Sequence, residues 1–188
     1  DEPRVGFIGA GRMATALAGG LSAAGFTTTE AIMASDIVES AREAFARATG
    51  SRAVEDNAEV LAGSDIVVLA VKPQQVDEVL DGIAAGVTTG HLVVSIAAGI
   101  TLSRLAVALG DDRRLIRVMP NTPCLVGLSA SAFAVGGAAT DADAELVERL
   151  LSTVGLAIRV DESQLDAVTG LSGSGPAYIY RVIDAMAE

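Results

Sequence analysis

The sequence predicts an α/β fold in which a doubly wound, mostly parallel sheet is followed by the start of a helical domain. Short apolar runs alternate with helical stretches as far as residue 119, and this alternation is typical of parallel strands joined by crossover helices. Two of the runs, 65–71 and 92–96, are almost wholly aliphatic, as expected of central strands covered on both faces. Aromatic residues make up only 3% of the chain beside 20 glycines, a composition that suits closely layered helices and strands.

The predicted elements follow one another in a regular order. Strands are predicted where β-branched and aliphatic residues cluster, at 5–9, 31–35, 52–54, 65–71, 92–96 and 115–119. Helices are predicted between them at 12–24, 39–49, 57–62, 73–84 and 102–109. Beyond Pro120, two further strands at 128–135 and 156–160 flank a helix at 142–154.

From Glu162 onward the pattern predicts helix, interrupted by the Gly/Ser cluster 170–176. Pro176 is well placed to begin the last helix, because its missing N–H costs nothing there. One face of this helix carries an apolar stripe at helical spacing, and little of the remaining chain could cover that face. The stripe consists of Ile179, Val182, Ile183 and Met186. We therefore expect a sheet domain over 1–160 and the beginning of a helical domain, incomplete here, over 161–188.

The most informative motif lies at residues 5–14, which read V-G-F-I-G-A-G-R-M-A, a strand leading through a G-x-G-x-x-A turn into a helix. Gly9 permits the tight turn, Gly11 lets a diphosphate approach the backbone, and Ala14 lets the helix pack closely on the sheet. The start of the helix then offers unpaired N–H groups to the phosphates. The motif favours a Rossmann-type, dinucleotide-binding domain over an ordinary strand–turn–helix, which is the alternative.

Asp36 ends the second predicted strand, 25 residues after Gly11. An acidic residue near this position accepts hydrogen bonds from the adenosine ribose hydroxyls and repels a 2′-phosphate. The nearest basic residue that follows is Arg42, one or two helical turns further on. The sequence thus favours NADH and leaves NADPH possible. The alternative, equally weighted, is that Asp36 only caps the next helix.

Small or polar residues also end three later strands. Lys72 and Pro73 follow the fourth strand, and the small residues 95–99 end the fifth, at the edge where ligands of such sheets bind. Asn121 and Thr122, after the sixth strand, carry hydrogen-bonding groups suited to a carboxamide or a small substrate. Each segment alone is also compatible with a solvated strand end, close packing or an irregular turn.

Composition excludes several classes of function. A formal net charge of −11 disfavours nucleic acid and anionic membranes as partners. The single cysteine, Cys124, and the single histidine, His91, permit no internal disulfide and no multi-ligand metal site of those types. We interpret Cys124 as a small buried residue and His91 as structural or solvated, and we expect a reducing, cytoplasmic location.

Five segments together resemble pyrroline-5-carboxylate reductases, the enzymes of the last step of proline synthesis. They are F-I-G-A-G-R-M-A at 7–14, A-V-K-P at 70–73, S-I-A-A-G at 95–99, R-V-M-P-N-T-P at 117–123 and D-A-V-T-G-L-S-G-S-G-P-A-Y at 166–178. The last string is long and specific, and the others occur in order at fitting intervals. The resemblance covers essentially the whole chain.

The resemblance implies NAD(P)H-dependent reduction of 1-pyrroline-5-carboxylate to L-proline. The residues expected to bind the cofactor are Ile8, Gly9, Ala10, Gly11, Arg12, Met13, Ser35, Asp36, Asn57, Ala70, Val71, Lys72, Pro73, Ile96, Ala97 and Ala98. The first six lie at the diphosphate, the next three at the adenosine and the rest at the nicotinamide half. Relatives often carry Ser or Asn in place of Asp36, and this departure to Asp strengthens the expectation of NADH.

The substrate is expected near Asn121, Thr122 and the 172–175 turn, where Ser174 and its neighbours would offer N–H groups at the mouth of the site. A rigid hinge is the alternative for that turn. No catalytic residue is assigned, because a protonated imine is already an electrophile. The family's helical domain dimerises and carries a loop for the substrate carboxylate, so we expect a homodimer or higher homo-oligomer and place that loop beyond Glu188.

Two alternatives stay open at this point. β-Hydroxyacid dehydrogenases share a Rossmann domain followed by helices, but they need a catalytic lysine after the sheet, and residues 162–188 contain none. The other alternative is a dinucleotide-binding module without catalysis, which predicts NADH binding and no turnover. It applies above all if the 188-residue chain acts alone.

Overall fold

A computed structural model describes residues 2–187 and contains one eight-stranded sheet with helices on both faces. The strands are β1 (Val5–Ile8), β2 (Ile32–Ser35), β3 (Arg52–Val54), β4 (Ile66–Leu69), β5 (Leu92–Ser95), β6 (Arg114–Met119), β7 (Ser129–Gly137) and β8 (Gly155–Arg159). The helices are α1 (Arg12–Ala23), α2 (Glu39–Thr49), α3 (Asn57–Gly63), α4 (Val76–Ile83), α5 (Leu102–Leu109), α6 (Asp141–Ser152), α7 (Leu165–Val168) and α8 (Gly175–Ala187).

The strand order confirms the predicted doubly wound sheet. It runs β3-β2-β1-β4-β5-β6-β7-β8, and the first six of these strands are parallel. β7 is antiparallel to β6, and β8 is parallel to β7. The order reverses between β1 and β4, so the carboxyl ends of these two strands flank the crevice where sheets of this kind bind ligands.

Two apolar layers cover the sheet, as the aliphatic runs predicted. Side chains of α1, α2 and α6 pack on one face, where the rings of Phe7 and Phe45 lie 6.3 Å apart. Side chains of α3, α4, α5 and α7 pack on the other face. Both faces of β4 and β5 are therefore buried, which explains why these strands carry no polar alternation.

The end of the chain departs from the prediction, because the Gly/Ser cluster does not interrupt the helix. Residues Thr169–Gly173 form a π-helical turn that joins α7 to α8. Two hydroxyls support this turn, since Thr169 Oγ1 donates to the Leu165 carbonyl and Ser172 Oγ donates to the Val168 carbonyl. A π turn accommodates one extra residue without leaving the helical path, so glycine here widens the helix instead of ending it.

Carboxylates around the buried Arg117 fix the helical segment to the sheet. Arg117 of β6 is almost fully buried and donates to Glu162 Oε1 over 3.1 Å and to Asp166 Oδ1 over 3.4 Å. The N–H of Leu102, the first residue of α5, donates to the same Glu162 oxygen. Glu162 thus satisfies a buried guanidinium and a free helix-end N–H together, a pairing that buried charges require.

The outer surface of α8 is apolar and exposed. The large apolar side chains that lie in solvent there are Tyr178, Ile179, Tyr180, Val182, Ile183 and Met186, and Leu171 of the π turn is exposed as well. Contiguous exposed apolar surface of this kind marks an interaction site. Within residues 2–187, no helix is both long and apolar enough to cross a membrane, and no group of three or more His, Cys, Asp and Glu residues is arranged to hold a metal ion.

Candidate functional site

The glycine turn has the geometry that its sequence predicts. Gly9 adopts a φ of +99°, and a Cβ there would lie 2.9 Å from the backbone of Ala70. Its N–H donates to the Ser35 carbonyl over 2.8 Å, which locks the turn between β2 and β4. Only glycine combines this positive φ with so close an approach to a neighbouring strand.

Gly11 serves a different purpose, because a Cβ built on it meets nothing within 4 Å. It is the N-cap of α1, no side chain caps the helix there, and the first turn contains no acidic residue. The first N–H groups of α1 are therefore free of helical and side-chain acceptors and lie at the positive end of the helix dipole. This open, uncapped helix end is suited to an anion such as a diphosphate.

A cavity of about 210 Å³ adjoins this turn at the point where the strand order reverses. Its walls come from the ends of β1 and β2, from α3 and from α4; they include Ile8, Gly9, Ser35, Asp36, Ile37, Asn57, Val71, Gln75, Glu78 and Val79. The structure thus brings the three predicted adenosine residues, from two separate segments, to one cavity beside the glycine turn. Four lining residues were not predicted from the sequence, because none of them belongs to a recognisable motif. They are Ile37, Gln75, Glu78 and Val79.

Asp36 contacts both the glycine turn and the segment that begins α2. Its Oδ2 accepts from the N–H of Ala10 in the glycine turn over 3.0 Å, and its Oδ1 accepts from the N–H of Val38, the N-cap of α2, over 2.9 Å. The carboxylate therefore fixes the turn, supports the start of α2 and still lines the cavity. A carboxylate has about four acceptor sites, so further hydrogen bonds remain available to it.

The neighbours of Asp36 divide into supporting and lining residues. Ser35 is fully buried, and its hydroxyl donates to Asn57 Oδ1 over 2.6 Å. This hydrogen bond fixes the orientation of the Asn57 side chain. Arg42 donates to the backbone carbonyl of Asp36 over 2.8 Å and lies 3.8 Å from a carboxylate oxygen of Glu55. The guanidinium of Arg42 therefore already has a backbone carbonyl and a carboxylate as partners beside the cavity.

The ends of β4 and β5 bring the residues predicted for the nicotinamide half to the same edge of the sheet. The N–H of Ala70 donates to the Ile8 carbonyl, and the N–H of Ile96 donates to the Leu69 carbonyl. Lys72 is exposed and directly precedes Pro73, which opens a short 3-10 turn. Beyond β5, Ala97 is buried, whereas Ala98 and Gly99 are exposed. The backbone is therefore accessible at this edge.

A second cavity, of about 480 Å³, lies between the glycine turn and α8. It is lined by Arg12, Met13, Thr122, Pro123, Leu125, Val126 and Tyr180. The structure thus joins three residues that the sequence predicted separately, Arg12, Met13 and Thr122. Tyr180 also lines this cavity. The sequence does not indicate this role, because a residue next to the apolar stripe of the last helix is expected to pack against other apolar residues.

Two predicted substrate residues have internal partners instead. Asn121 is buried, and its amide bonds Ser172, Ser129 and Ala130. The N–H of Ser174 donates to the Thr169 carbonyl over 2.8 Å, so the expectation that it is free for a ligand is wrong. The cause is the π turn, which continues the helical hydrogen bonds through a segment predicted to be a loop.

His91 is structural, as interpreted from its position. It precedes β5 at the amino-terminal edge of the sheet; the N–H of Thr88 donates to its Nδ1, and its Nε2 lies 3.1 Å from the Leu61 carbonyl. A cavity of about 470 Å³ is open there, beside the Arg4–Asp65 ion pair. It lies at the opposite edge from the crevice between β1 and β4, so it takes no part in the candidate site.

Cys124 yields a first testable prediction. The side chain is buried, its Sγ lies 3.1 Å from the Met13 Sδ, and burial raises the pKa of the thiol above its ordinary value. Because the thiolate is the reactive form, we expect a thiol reagent to modify the native protein at least about tenfold more slowly than the chain in denaturant. Equal rates in the two states would contradict the buried position of Cys124.

Comparisons with known proteins point in one direction. The family model described as NADP oxidoreductase coenzyme F420-dependent matches residues 4–99, and the model of pyrroline-5-carboxylate reductase dimerisation matches residues 162–188. The pyrroline-5-carboxylate reductase of Methanosarcina acetivorans is 46% identical over 188 residues, which are the whole of this chain and 70% of that protein.

Solved structures give the same result. A pyrroline-5-carboxylate reductase from Coxiella burnetii superposes with a TM-score of 0.91 at 33% identity, covering 98% of this chain and 69% of the other. The Plasmodium falciparum pyrroline carboxylate reductase, with NADP bound, superposes with a TM-score of 0.88 at 30% identity, covering 97% and 67%.

Proposed function

The chain belongs to the pyrroline-5-carboxylate reductase family, and from that premise we propose that it reduces 1-pyrroline-5-carboxylate to L-proline with NAD(P)H. The observation that carries the proposal is the open helix end at Gly11 beside a cavity at the strand-order reversal. Relatives of this name match the chain over its whole length, including the region of the cavity.

The residues present fit a nicotinamide dinucleotide. We assign the diphosphate to the turn Ile8–Met13, because the first N–H groups of α1, at the end of this turn, are uncapped and nothing occupies the space beside Gly11. We assign the adenosine to Asp36 and Asn57, with Ser35 holding Asn57 in place. The nicotinamide half is assigned to residues 70–73 and 96–98, where the edge of the sheet exposes backbone and small side chains.

Bound nicotinamide would supply the hydride that adds to the imine carbon, and the protein's own contribution is position and electrostatics. The crevice holds the dinucleotide at one edge of the sheet, and the cavity between Met13, Thr122 and Tyr180 leaves room for a small cyclic substrate. We assign the substrate side to Thr122 in that cavity. No side-chain acid is required, because a protonated imine already accepts a hydride.

We propose that NADH is the preferred cofactor. The carboxylate of Asp36 lines the cavity where the adenosine ribose is assigned, and it would accept hydrogen bonds from the ribose hydroxyls while repelling a 2′-phosphate. Arg42, the nearest guanidinium, already donates to the Asp36 carbonyl and lies near Glu55. The charge around the ribose therefore favours a hydroxyl over a phosphate.

We further propose a division into a dinucleotide-binding domain over 1–160 and the start of a helical, dimer-forming domain over 161–188. β8 ends at Arg159 and the helical segment begins at Glu162, which supports this boundary. The exposed apolar surface of α8 falls within the residues that match the dimerisation model, which supports a homo-oligomer. A single buried cysteine is compatible with a reducing compartment such as the cytoplasm.

The test of this function is imine-dependent oxidation of the cofactor. Purified protein mixed with NADH and 1-pyrroline-5-carboxylate is expected to consume NADH and to form proline, with no consumption when the imine is omitted. NADH binding without turnover would identify a module that only binds the dinucleotide. Oxidation of a β-hydroxyacid with NAD⁺, and no reduction of the imine, would assign the chain to a different reaction.

A further inference from the structure

We propose that Asn121 is a positioning residue for imine reduction, which fixes the π turn Thr169–Gly173, and with it α8, against the carboxyl edge of the sheet. The inference rests on the proposed function, because it concerns where α8 stands relative to the cofactor crevice. It assigns Asn121 a role different from the substrate contact that the sequence predicts.

The contacts of Asn121 join three segments of the chain. Its Nδ2 donates to the carbonyl of Ser172 in the π turn over 3.1 Å. Its Oδ1 accepts from the N–H of Ala130 in β7 over 2.9 Å and from Ser129 Oγ over 3.2 Å. Asn121 itself follows β6 by two residues and is only 8% exposed. One buried amide therefore ties the end of β6, the start of β7 and the π turn together.

These contacts leave little of the amide for a ligand. A carboxamide has two N–H groups and two acceptor sites, and three of these four are occupied by protein. Because such a buried amide is costly to leave unpaired, the π turn and the β6–β7 connection are held in one relative position. These hydrogen bonds stabilise the protein only while both segments stay in place, and they break if either the π turn or the start of β7 moves.

The surface between β6 and the π turn is closely fitted. A Cβ on Gly173 would lie 2.5 Å from the Met119 Cε, so the absence of a side chain lets the turn approach the end of β6. π turns inside α-helices are rare and are frequently found at functional sites. Besides the close approach at Gly173, Asn121 supplies this turn with a hydrogen bond to one of its carbonyls.

The position of the turn decides the shape of the second cavity. α8 begins at Gly175, directly after the turn, and carries Tyr180 to the cavity wall opposite Arg12 and Met13. Thr122, next in sequence to Asn121, lines the same cavity. A rotation of α8 at the π turn would move Tyr180 relative to the glycine turn. Asn121 thus sets the width of the space assigned to the substrate without touching it.

The experiment compares Asn121→Asp with Ser129→Ala in the full chain. At neutral pH the aspartate keeps an acceptor for Ala130 and Ser129 but loses the donor to Ser172 and places a negative charge beside its carbonyl. We expect kcat for imine reduction to fall about 10- to 100-fold, as misplacement near a reacting centre does, while the Kd for NADH changes less than about twofold. Ser129→Ala keeps the bond to Ser172, so its kcat is expected to stay within about twofold of the original.

Amide hydrogen exchange gives the second readout. In Asn121→Asp, the amides of residues 169–174 are expected to exchange faster, while those of α1 keep their protection. If the variant does not fold, the unmodified protein still decides the matter. The amides of Ala130 and of the π turn should then exchange at similar free energies, as one cooperative unit.

Three outcomes would overturn the proposal, each for a different reason. An unchanged kcat in Asn121→Asp, in a protein that reduces the imine, overturns the positioning role alone. A π turn that exchanges far faster than Ala130 in the unmodified protein overturns the coupling. An unmodified protein that binds NADH but never reduces the imine overturns the proposed function, and the positioning role with it.

Discussion

The substitution Gly11→Val is expected to weaken NADH binding by at least about 100-fold, equivalent to about 2.8 kcal/mol. A Cβ on Gly11 enters space that is open in the protein, and this is the space assigned to the diphosphate. The branched side chain would hold the phosphates away from the N–H groups of α1 and remove two or more charge-assisted hydrogen bonds, each worth roughly 1.5–3 kcal/mol. Titration of the variant with NADH, followed by calorimetry or fluorescence, measures the change.

The fold should tolerate this substitution. Gly11 has a φ of −76° and a ψ of −177°, extended values that valine adopts readily, so the thermal midpoint is expected to stay within a few degrees. Gly19→Val is the matched control, because a Cβ there also meets nothing within 4 Å but lies further along α1. A Gly11→Val protein that binds NADH as well as the unmodified chain would refute the assigned position of the diphosphate.

The substitution Asp36→Ser is expected to shift the ratio of NADPH to NADH affinities by about 100-fold toward NADPH. Loss of the carboxylate removes the repulsion of a 2′-phosphate, and a few kcal/mol is the scale for two charges about 4 Å apart near a protein surface. The same change removes hydrogen bonds to the ribose hydroxyls, which weakens NADH by roughly tenfold. Kd values for both reduced nucleotides, measured at one ionic strength, give the ratio.

The control for this prediction separates a local contact from overall charge. Glu39→Gln removes one negative charge from the exposed first turn of α2 without altering the cavity, so it should shift the ratio by less than about twofold. Asp36 also accepts from Ala10 and Val38, and a modest loss of stability in Asp36→Ser is expected. If the unmodified protein already prefers NADPH, or if Asp36→Ser leaves the ratio unchanged, the proposed role of Asp36 is wrong.

Much of the fold could be predicted because its signals are local. The strand preceding Gly9 and the helix following Gly11 are adjacent in sequence, and each glycine has a specific structural role between them. The sequence alone therefore predicts the turn correctly. The aliphatic runs of β4 and β5 likewise indicate burial on both faces without knowledge of their neighbours. The parallel order of the first six strands then follows from the crossover helices.

The π turn and the role of Asn121 could not be predicted, because they depend on contacts distant in sequence. Asn121 and Ser172 are 51 residues apart, and nothing near either residue indicates the other. Glycine and serine in 170–175 are typical of a loop, yet the segment is helical and its Ser172 carbonyl accepts a hydrogen bond from the distant Asn121. Local propensity was overridden by tertiary contacts, as expected where a helix is held by its surroundings.

The most direct measurement follows a labelled hydride. Protein supplied with NADH deuterated at the transferable position of nicotinamide C4, together with 1-pyrroline-5-carboxylate, should form proline whose former imine carbon carries the deuterium. That result would show that the crevice holds the cofactor in reach of the substrate and that the hydride passes directly between them. Proline that carries hydrogen from solvent at that carbon, or no proline at all, would contradict the account.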